Sequence, residues 1–165
     1  MALMSRVIDT ADLAEILEFE DRKMREVIPD ETERMLAGWS SRSRKEALEH
    51  YIPIGWSFLV RETLQASAHS PEGLLLGYFI AQPLLFIDGQ TQTLWIESLS
   101  YLSLQARDEL CLLAQKLGRE KHLQRVYFPN QHGIVNGLTG MKYANWQPNS
   151  LYIKTTKAID ERIFE

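Results

Sequence analysis

The sequence predicts an α+β domain, a mixed central sheet of about seven strands flanked by helices. Three stretches predict it. Residues 91–130 read as an apolar strand, an amphipathic helix and a second strand, the size of a βαβ crossover, which implies parallel strands and a helix over one sheet face. Just upstream, the apolar runs 74–82 and 84–87 lead to this strand through Asp88-Gly89, a hairpin turn in which Gly accepts positive φ at no steric cost. Residues 10–50 carry helical spacing, broken at Pro29.

The chain of 165 residues is long enough for one domain with its own core. We place that domain at 1–158, followed by a tail at 159–165. With 45% hydrophobic and 24% charged residues the composition is that of a globular protein. A net charge of -4 argues against a nucleic-acid partner, which needs a concentrated basic surface. The densest basic run, Arg42-Ser43-Arg44-Lys45, is short, is followed by Glu46 and reads as a solvated helix start. Cys111 is the only cysteine, so neither an intrachain disulfide nor a cysteine zinc cluster can form. It lies in an apolar helix beside Leu110 and Leu112, as a small buried hydrophobe does. The N-terminus lacks a signal-peptide core and no apolar run reaches membrane-spanning length, so the cytoplasm is the expected location and no membrane partner is expected. His50, His69, His122 and His132 have no metal-ligand spacing, and no metal site is expected.

In order, residues 3–8 are a short strand, and Thr10 follows as N-cap with Asp12 in the first turn. Leu13, Ile16 and Leu17 give the next helix one apolar side. Asp30 with Glu33 and Ser43 with Glu46 resemble capping boxes, so two short helices follow, around Met35-Leu36 and Ala47-Leu48. Residues 56–62 are a strand, 65–73 an exposed connection, and 74–82 a long strand with Pro83 marking a bend or bulge before 84–87. After the hairpin, residues 94–102 form a strand whose one charge is Glu97; by alternation Glu97 shares a face with Trp95, Leu99 and Tyr101. Leu110, Leu113, Ala114 and Leu117 stripe the next helix, and Gly118 weakens its last turn. Residues 124–130 read as a strand stopped by Pro129, and 130–138 as a short helix weakened by Gly133 and Gly137. Two final strands, near 143–146 and 150–156, flank the turn Gln147-Pro148-Asn149.

This order resembles the GNAT family, the GCN-five-related acyl-CoA N-acyltransferases. Four local matches carry the resemblance. The stretch 6–17 is similar to the family's first strand and helix, and Gly73-Leu-Leu-Leu-Gly77 to the turn and glycine of its third strand. Ile96-Glu-Ser-Leu-Ser-Tyr101 stands in the place of the cofactor-contacting strand. Asn130 precedes Gly140-Met141 as the family's Asn precedes Gly-Phe. The resemblance implies acetyl-CoA or another acyl-CoA as cofactor, lying between splayed strands that end near Tyr101 and Tyr127-Phe128. Backbone groups at Leu99 and Tyr101 would align the pantetheine arm, with Arg107 and Asn130 as further cofactor contacts. Glu97 would be the catalytic proton acceptor, and helices within 29–50 would shape the pocket of a small-molecule or peptide amine.

The sequence departs from the family pattern at the diphosphate loop. An Arg/Gln-x-x-Gly-x-Gly/Ala turn normally wraps the diphosphate with backbone N–H groups at a helix N-terminus. Residues 102–109 contain no glycine, are about two residues shorter than that pattern, and bring Asp108 and Glu109 to the helix start. Arg107 reaches a phosphate or pairs with an adjacent acid. The family's general-acid tyrosine falls on Asn136, which cannot supply a proton as a phenol does. Glu97 is a base, a buried carboxylate satisfied by hydrogen bonds, or an exposed strand residue. Ser103 follows the strand where a hydrolase nucleophile would stand, but it lacks flanking glycines and reads as a helix cap.

Two functions follow. One is acyl transfer from CoA to an amine. The other is a non-catalytic protein of the same fold with a degenerate diphosphate loop that has lost CoA binding, its cleft binding another ligand or a protein, with exposed Trp39, Leu84 and Phe86 meeting a second copy in a homodimer or another protein partner.

Overall fold

The structure, a computed structural model, describes residues 2–63, 72–146, 151 and 153. Its described strands β1 (Leu3–Val7), β2 (Phe58–Glu62), β3 (Leu74–Ile87), β4 (Gln90–Tyr101) and β5 (Arg125–Tyr127) form one sheet in sequence order. Neighbours from β1 to β4 pair antiparallel, and β5 pairs parallel to β4. The parallel pair is bridged by α4 (Leu104–Glu120), the crossover expected from residues 91–130.

Each sheet face has its own core. On one side Leu110, Cys111, Ala114 and Leu117 of α4 pack on Val60, Phe79, Leu94, Ile96 and Leu99. On the other, Ile16 and Phe19 of α1 (Leu13–Val27) and Leu48 and Tyr51 of α3 (Lys45–Tyr51) pack on Leu59, Leu75, Tyr78 and Ile80. Fully burying each large side chain contributes about 1.5–3 kcal/mol. α4 can lie close because Gly77 has no side chain; a Cβ there would stand 2.7 Å from the Ser100 carbonyl oxygen and 3.1 Å from Leu110 Cδ1. α2 (Glu31–Trp39) buries none of its residues and stands at the rim.

β1 and α1 are tied to β2 by charge. Buried Arg61 bonds Glu15 through both terminal nitrogens and reaches Asp12 at 3.5 Å, while Arg6 makes two hydrogen bonds to Asp12 at 2.7 and 2.8 Å. Arg6, before the Asp9 backbone N–H, holds the Asp12 carboxyl below the usual carboxylate range against the opposing effect of burial.

Several expectations change. The sheet has five strands among the described residues. Residues 143–146 form no strand, since β5 stops after three residues and leaves little edge to pair with. Trp146 instead packs its ring on Trp95 and Tyr127. Of the expected strand 150–156 only 151 and 153 are described, and the connection 64–71 and tail 159–165 lie outside the described residues. Pairing between β3 and β4 runs on through Pro83–Leu94, and the irregularity of this ladder lies earlier, at Ile80/Ala81. The first cap is Asp9, not Thr10, in a reciprocal box with Asp12. Asp30 caps α2 by accepting from the Glu33 N–H at 2.8 Å, but Ser43 caps nothing because its hydroxyl is spent on Ser98. Gly118 is interior to α4, where a Cβ would stand 2.7 Å from Val126 of β5; it serves close packing, not helix ending. Trp39 is exposed, and at the hairpin tip Leu85 (62% exposed) and Phe86 (79%) face outward while Leu84 is half-buried. No helix among the described residues is long and apolar enough to cross a membrane.

Candidate functional site

β4 and β5 touch over three residue pairs only, Thr93–Arg125, Leu94–Val126 and Trp95–Tyr127. Pro129 then removes a donor and the chain leaves the sheet, while β4 continues to Tyr101. The strands therefore splay. Leu102 donates its N–H to Leu76 on the β3 side, and strand alternation turns the N–H groups of Leu99 and Tyr101 into the gap. Gln131, on the segment after β5, fills part of it: its side-chain Oε1 accepts from the Leu99 N–H at 3.1 Å.

Glu97 sits at a β-bulge. Ile80 pairs with Ser98 but Ala81 pairs with Ile96, so β4 has one extra residue here. The expected alternation holds from Trp95 to Glu97, whose side chains share a face and a hydrogen bond, and fails beyond the bulge, where a single inserted residue exchanges the faces. Leu99 joins the α4-side core with Tyr101 packed against it, whereas Glu97, Ser98 and Ser100 turn to the α1–α3 side. The Glu97 Oε2 accepts from Trp95 Nε1 at 2.7 Å and from the Tyr51 hydroxyl at 3.3 Å. Burial first, then the Glu97 charge, push the Tyr51 phenol up to about 12, so it stays a donor at neutral pH.

A cleft of about 580 Å³ opens from the splayed edge toward α1 and α2, within the size range of small-molecule sites. Leu99, Tyr101, Gln131 and His132 form its sheet side; Lys23 and Arg42 are among the residues facing them. Half-buried Lys23 donates to Ser100 Oγ at 2.7 Å and lies 5.5 and 5.7 Å from the ring centroids of Phe19 and Tyr101. Burial lowers its pKa from the usual lysine value, against the opposite pull of Glu20 and Glu26. Arg42 donates to the Glu97 backbone carbonyl at 3.3 Å. Ser43 and Ser98 share a hydrogen bond of 2.8 Å between their hydroxyls.

At the far end of β4, Ser103 caps α4 by accepting from the Ala106 N–H at 3.1 Å, as expected of a cap. Arg107 N–H makes the first helical bond, to Ser103 O. Leu104 and Gln105 N–H are thus the first-turn donors left without a partner among the described residues. The Arg107 side chain, 7% exposed, turns from the helix start to bond Asp108 Oδ1 at 2.9 and 2.7 Å and the Gly133 carbonyl at 3.3 Å. It packs on Gly137 of α5 (Ile134–Gly137), where a Cβ would stand 3.1 Å from Arg107 Nε. The residues present fit the acyl and pantetheine end of an acyl-CoA, because the Leu99 N–H already holds an amide-type carbonyl oxygen. They fit the diphosphate end less well, with two open amides and no glycine.

Of the sequence candidates, Leu99 and Tyr101 line the cleft. The Glu97 side chain does not; only its backbone carbonyl meets the cleft residue Arg42. Arg107 is engaged by its own neighbour and Asn130 is exposed after Pro129. Lys23, Arg42, Ser100, Tyr51 and Gln131 were not legible as site residues. Lys23 and Ser100 stand 77 positions apart and Leu99 and Gln131 stand 32 apart, beyond any local motif. Among the described residues no His, Cys, Asp and Glu group is placed to hold a metal.

No family model and no curated protein matches the chain. Solved structures match its fold. A predicted acetyltransferase of Clostridium acetobutylicum with acetyl-CoA aligns at a TM-score of 0.59 and 8% identity, over 93% of this chain and 96% of that one. An aminoglycoside acetyltransferase from an uncultured soil metagenomic sample, in complex with sisomicin, aligns at 0.57 and 13%, over 93% and 97%. The protein AAC(6')-Iy, in complex with the bisubstrate analogue CoA-S-monomethyl-acetylneamine, aligns at 0.54 and 12%, over 94% and 100%. At such identities the likeness speaks for architecture alone: the chain has the fold of these acetyltransferases, the GNAT-like fold that the sequence resemblance implies.

Proposed function

We propose that this chain is an N-acyltransferase that moves an acyl group from acyl-CoA to an amine. The observation that carries the reading is the splayed β4–β5 edge opening into the cleft, with the Leu99 N–H presented where they meet. Acyl-CoA, when bound, supplies an activated thioester. The Leu99 and Tyr101 backbone groups align its arm, and the Leu99 N–H stabilises charge developing on the acyl oxygen once Gln131 withdraws. The α1–α2 side of the cleft holds the amine against that carbonyl, so that much of the rate comes from positioning. The Glu97 side chain stands behind the cleft lining, so the amine proton reaches its Oε1, which has no partner among the described residues, only through intervening water, with Oε2 held by Trp95 and Tyr51. Leu104 and Gln105 N–H, with Asn130, and with Arg107 once it releases Asp108, meet the diphosphate end. The test is CoA-thiol release from acetyl-CoA with a panel of amines. Glu97→Gln should lower kcat by about a hundredfold or more at unchanged KM; equal rates would remove Glu97 from the mechanism.

The engaged Arg107 and the glycine-free turn favour a second reading, a non-catalytic protein that keeps the cleft for another ligand or a partner. It predicts no heat with acetyl-CoA at millimolar concentration.

A further inference from the structure

The cleft holds an excess of cationic donors over acceptors. Elsewhere the arginines that order the fold are paired: Arg6 with Asp12 and Glu72, Arg61 with Glu15, Arg107 with Asp108, and Arg125 with Asp88. In the cleft, Lys23 and Arg42 have no carboxylate within 4.0 Å among the described residues. An ammonium has three donors and Lys23 spends one on Ser100; a guanidinium has five and Arg42 spends one on a backbone carbonyl. The acidic residue lining the cleft, Glu20, has Oε1 engaged by the Tyr78 hydroxyl at 2.8 Å. A half-buried ammonium with donors to spare is costly to leave unpaired, and an incoming anion recovers that cost. A polycationic amine would instead add its charges to those of Lys23 and Arg42.

We propose that the acceptor bound in this cleft is an amine that also carries an anionic group, a carboxylate or a phosphate, seated on Lys23 and Arg42. This deepens the acyl-transfer reading and rests on it for the word acceptor, but the anion seat is testable without turnover. The probes are N-acetylglycine and N-acetylphenylalanine against their neutral amides, and N-acetyl-O-phosphoethanolamine against the neutral N-acetylethanolamine. Each is titrated into the full chain by calorimetry without cofactor. The anionic member of a pair should bind about tenfold or more tightly than its neutral partner, and the preference should shrink as salt rises from about 0.05 to about 0.5 M. The acid–amide pairs and the phosphate pair report separately which anion is used. Lys23→Met should bring the preference within about twofold, and Lys23→Arg should restore it. Equal binding of anionic and neutral members by the wild-type chain overturns the proposal even if the variants fail to fold. A preference that survives Lys23→Met combined with Arg42→Gln also overturns it. Acetyl-CoA is titrated separately: no binding there, with the anion preference intact, removes the transfer reading and keeps the anion seat. A loss of CoA affinity in Lys23→Met as large as the loss of anion preference would assign the cation to the cofactor's phosphates and overturn the acceptor assignment.

Discussion

Replacing Gln131 by alanine probes the junction of edge and cleft directly. In the free protein the Leu99 N–H is occupied by the Gln131 carboxamide at 3.1 Å, a neutral, partly buried hydrogen bond of ordinary length. Such a bond contributes about 1 kcal/mol net. A ligand carbonyl that takes the Leu99 N–H must first displace it, so Gln131→Ala should tighten the acetyl-CoA dissociation constant about fivefold and destabilise the fold by about 1 kcal/mol. Gln131→Glu should do the reverse, since a charged acceptor holds the same N–H roughly twice as strongly. Calorimetric titration of acetyl-CoA into the three proteins, with urea melts alongside, measures both quantities. Unchanged or weaker binding by Gln131→Ala, at normal folded content, would refute the claim that ligand and side chain compete for this amide.

Three further outcomes follow from the packing. Gly77→Ala should cost about 1–3 kcal/mol in a urea melt, because the new Cβ meets Ser100 O at 2.7 Å and must push β3 from β4. Asp12 has a depressed carboxyl pKa, so its contribution is present above the ordinary carboxylate value and is lost as pH falls through the folded value. The melting temperature should therefore drop below about pH 4, whereas Asp12→Asn should lose about 3 kcal/mol at pH 7 and show less of the acid loss. Cys111 is fully buried and burial pushes its thiol up to about 11, so a disulfide reagent should label it no faster than the protein opens in urea; rapid labelling of the native chain would contradict the packing under α4.

What the sequence disclosed was local. The Asp88-Gly89 turn is bracketed by the Ile87–Gln90 pair with both turn residues at positive φ, and the α4 stripe and its Ser103 cap stand where spacing and residue type put them. Glu97 was legible as the one charge in an apolar strand and as a neighbour of Trp95, but its separation from Leu99 and Tyr101 was not, because a one-residue bulge leaves no mark in composition and reverses the faces beyond it. Ser43 has the residue type of a cap, and tertiary contact with Ser98 claimed its hydroxyl instead. The cations of the cleft were hidden for a similar reason. Lys23 is one more lysine on an amphipathic helix until α1 is laid across β4 beside Ser100.

The central claim, that the splayed edge of β4 receives an acyl-CoA, is tested most directly by backbone amide NMR of the labelled chain during titration with acetyl-CoA. The account predicts that the amides of Leu99 and Tyr101 shift first and furthest, followed by Leu104 and Gln105 at the start of α4, while those of β1 stay in place. Saturating acetyl-CoA that leaves Leu99 and Tyr101 unmoved, or moves only residues away from this edge, would contradict it.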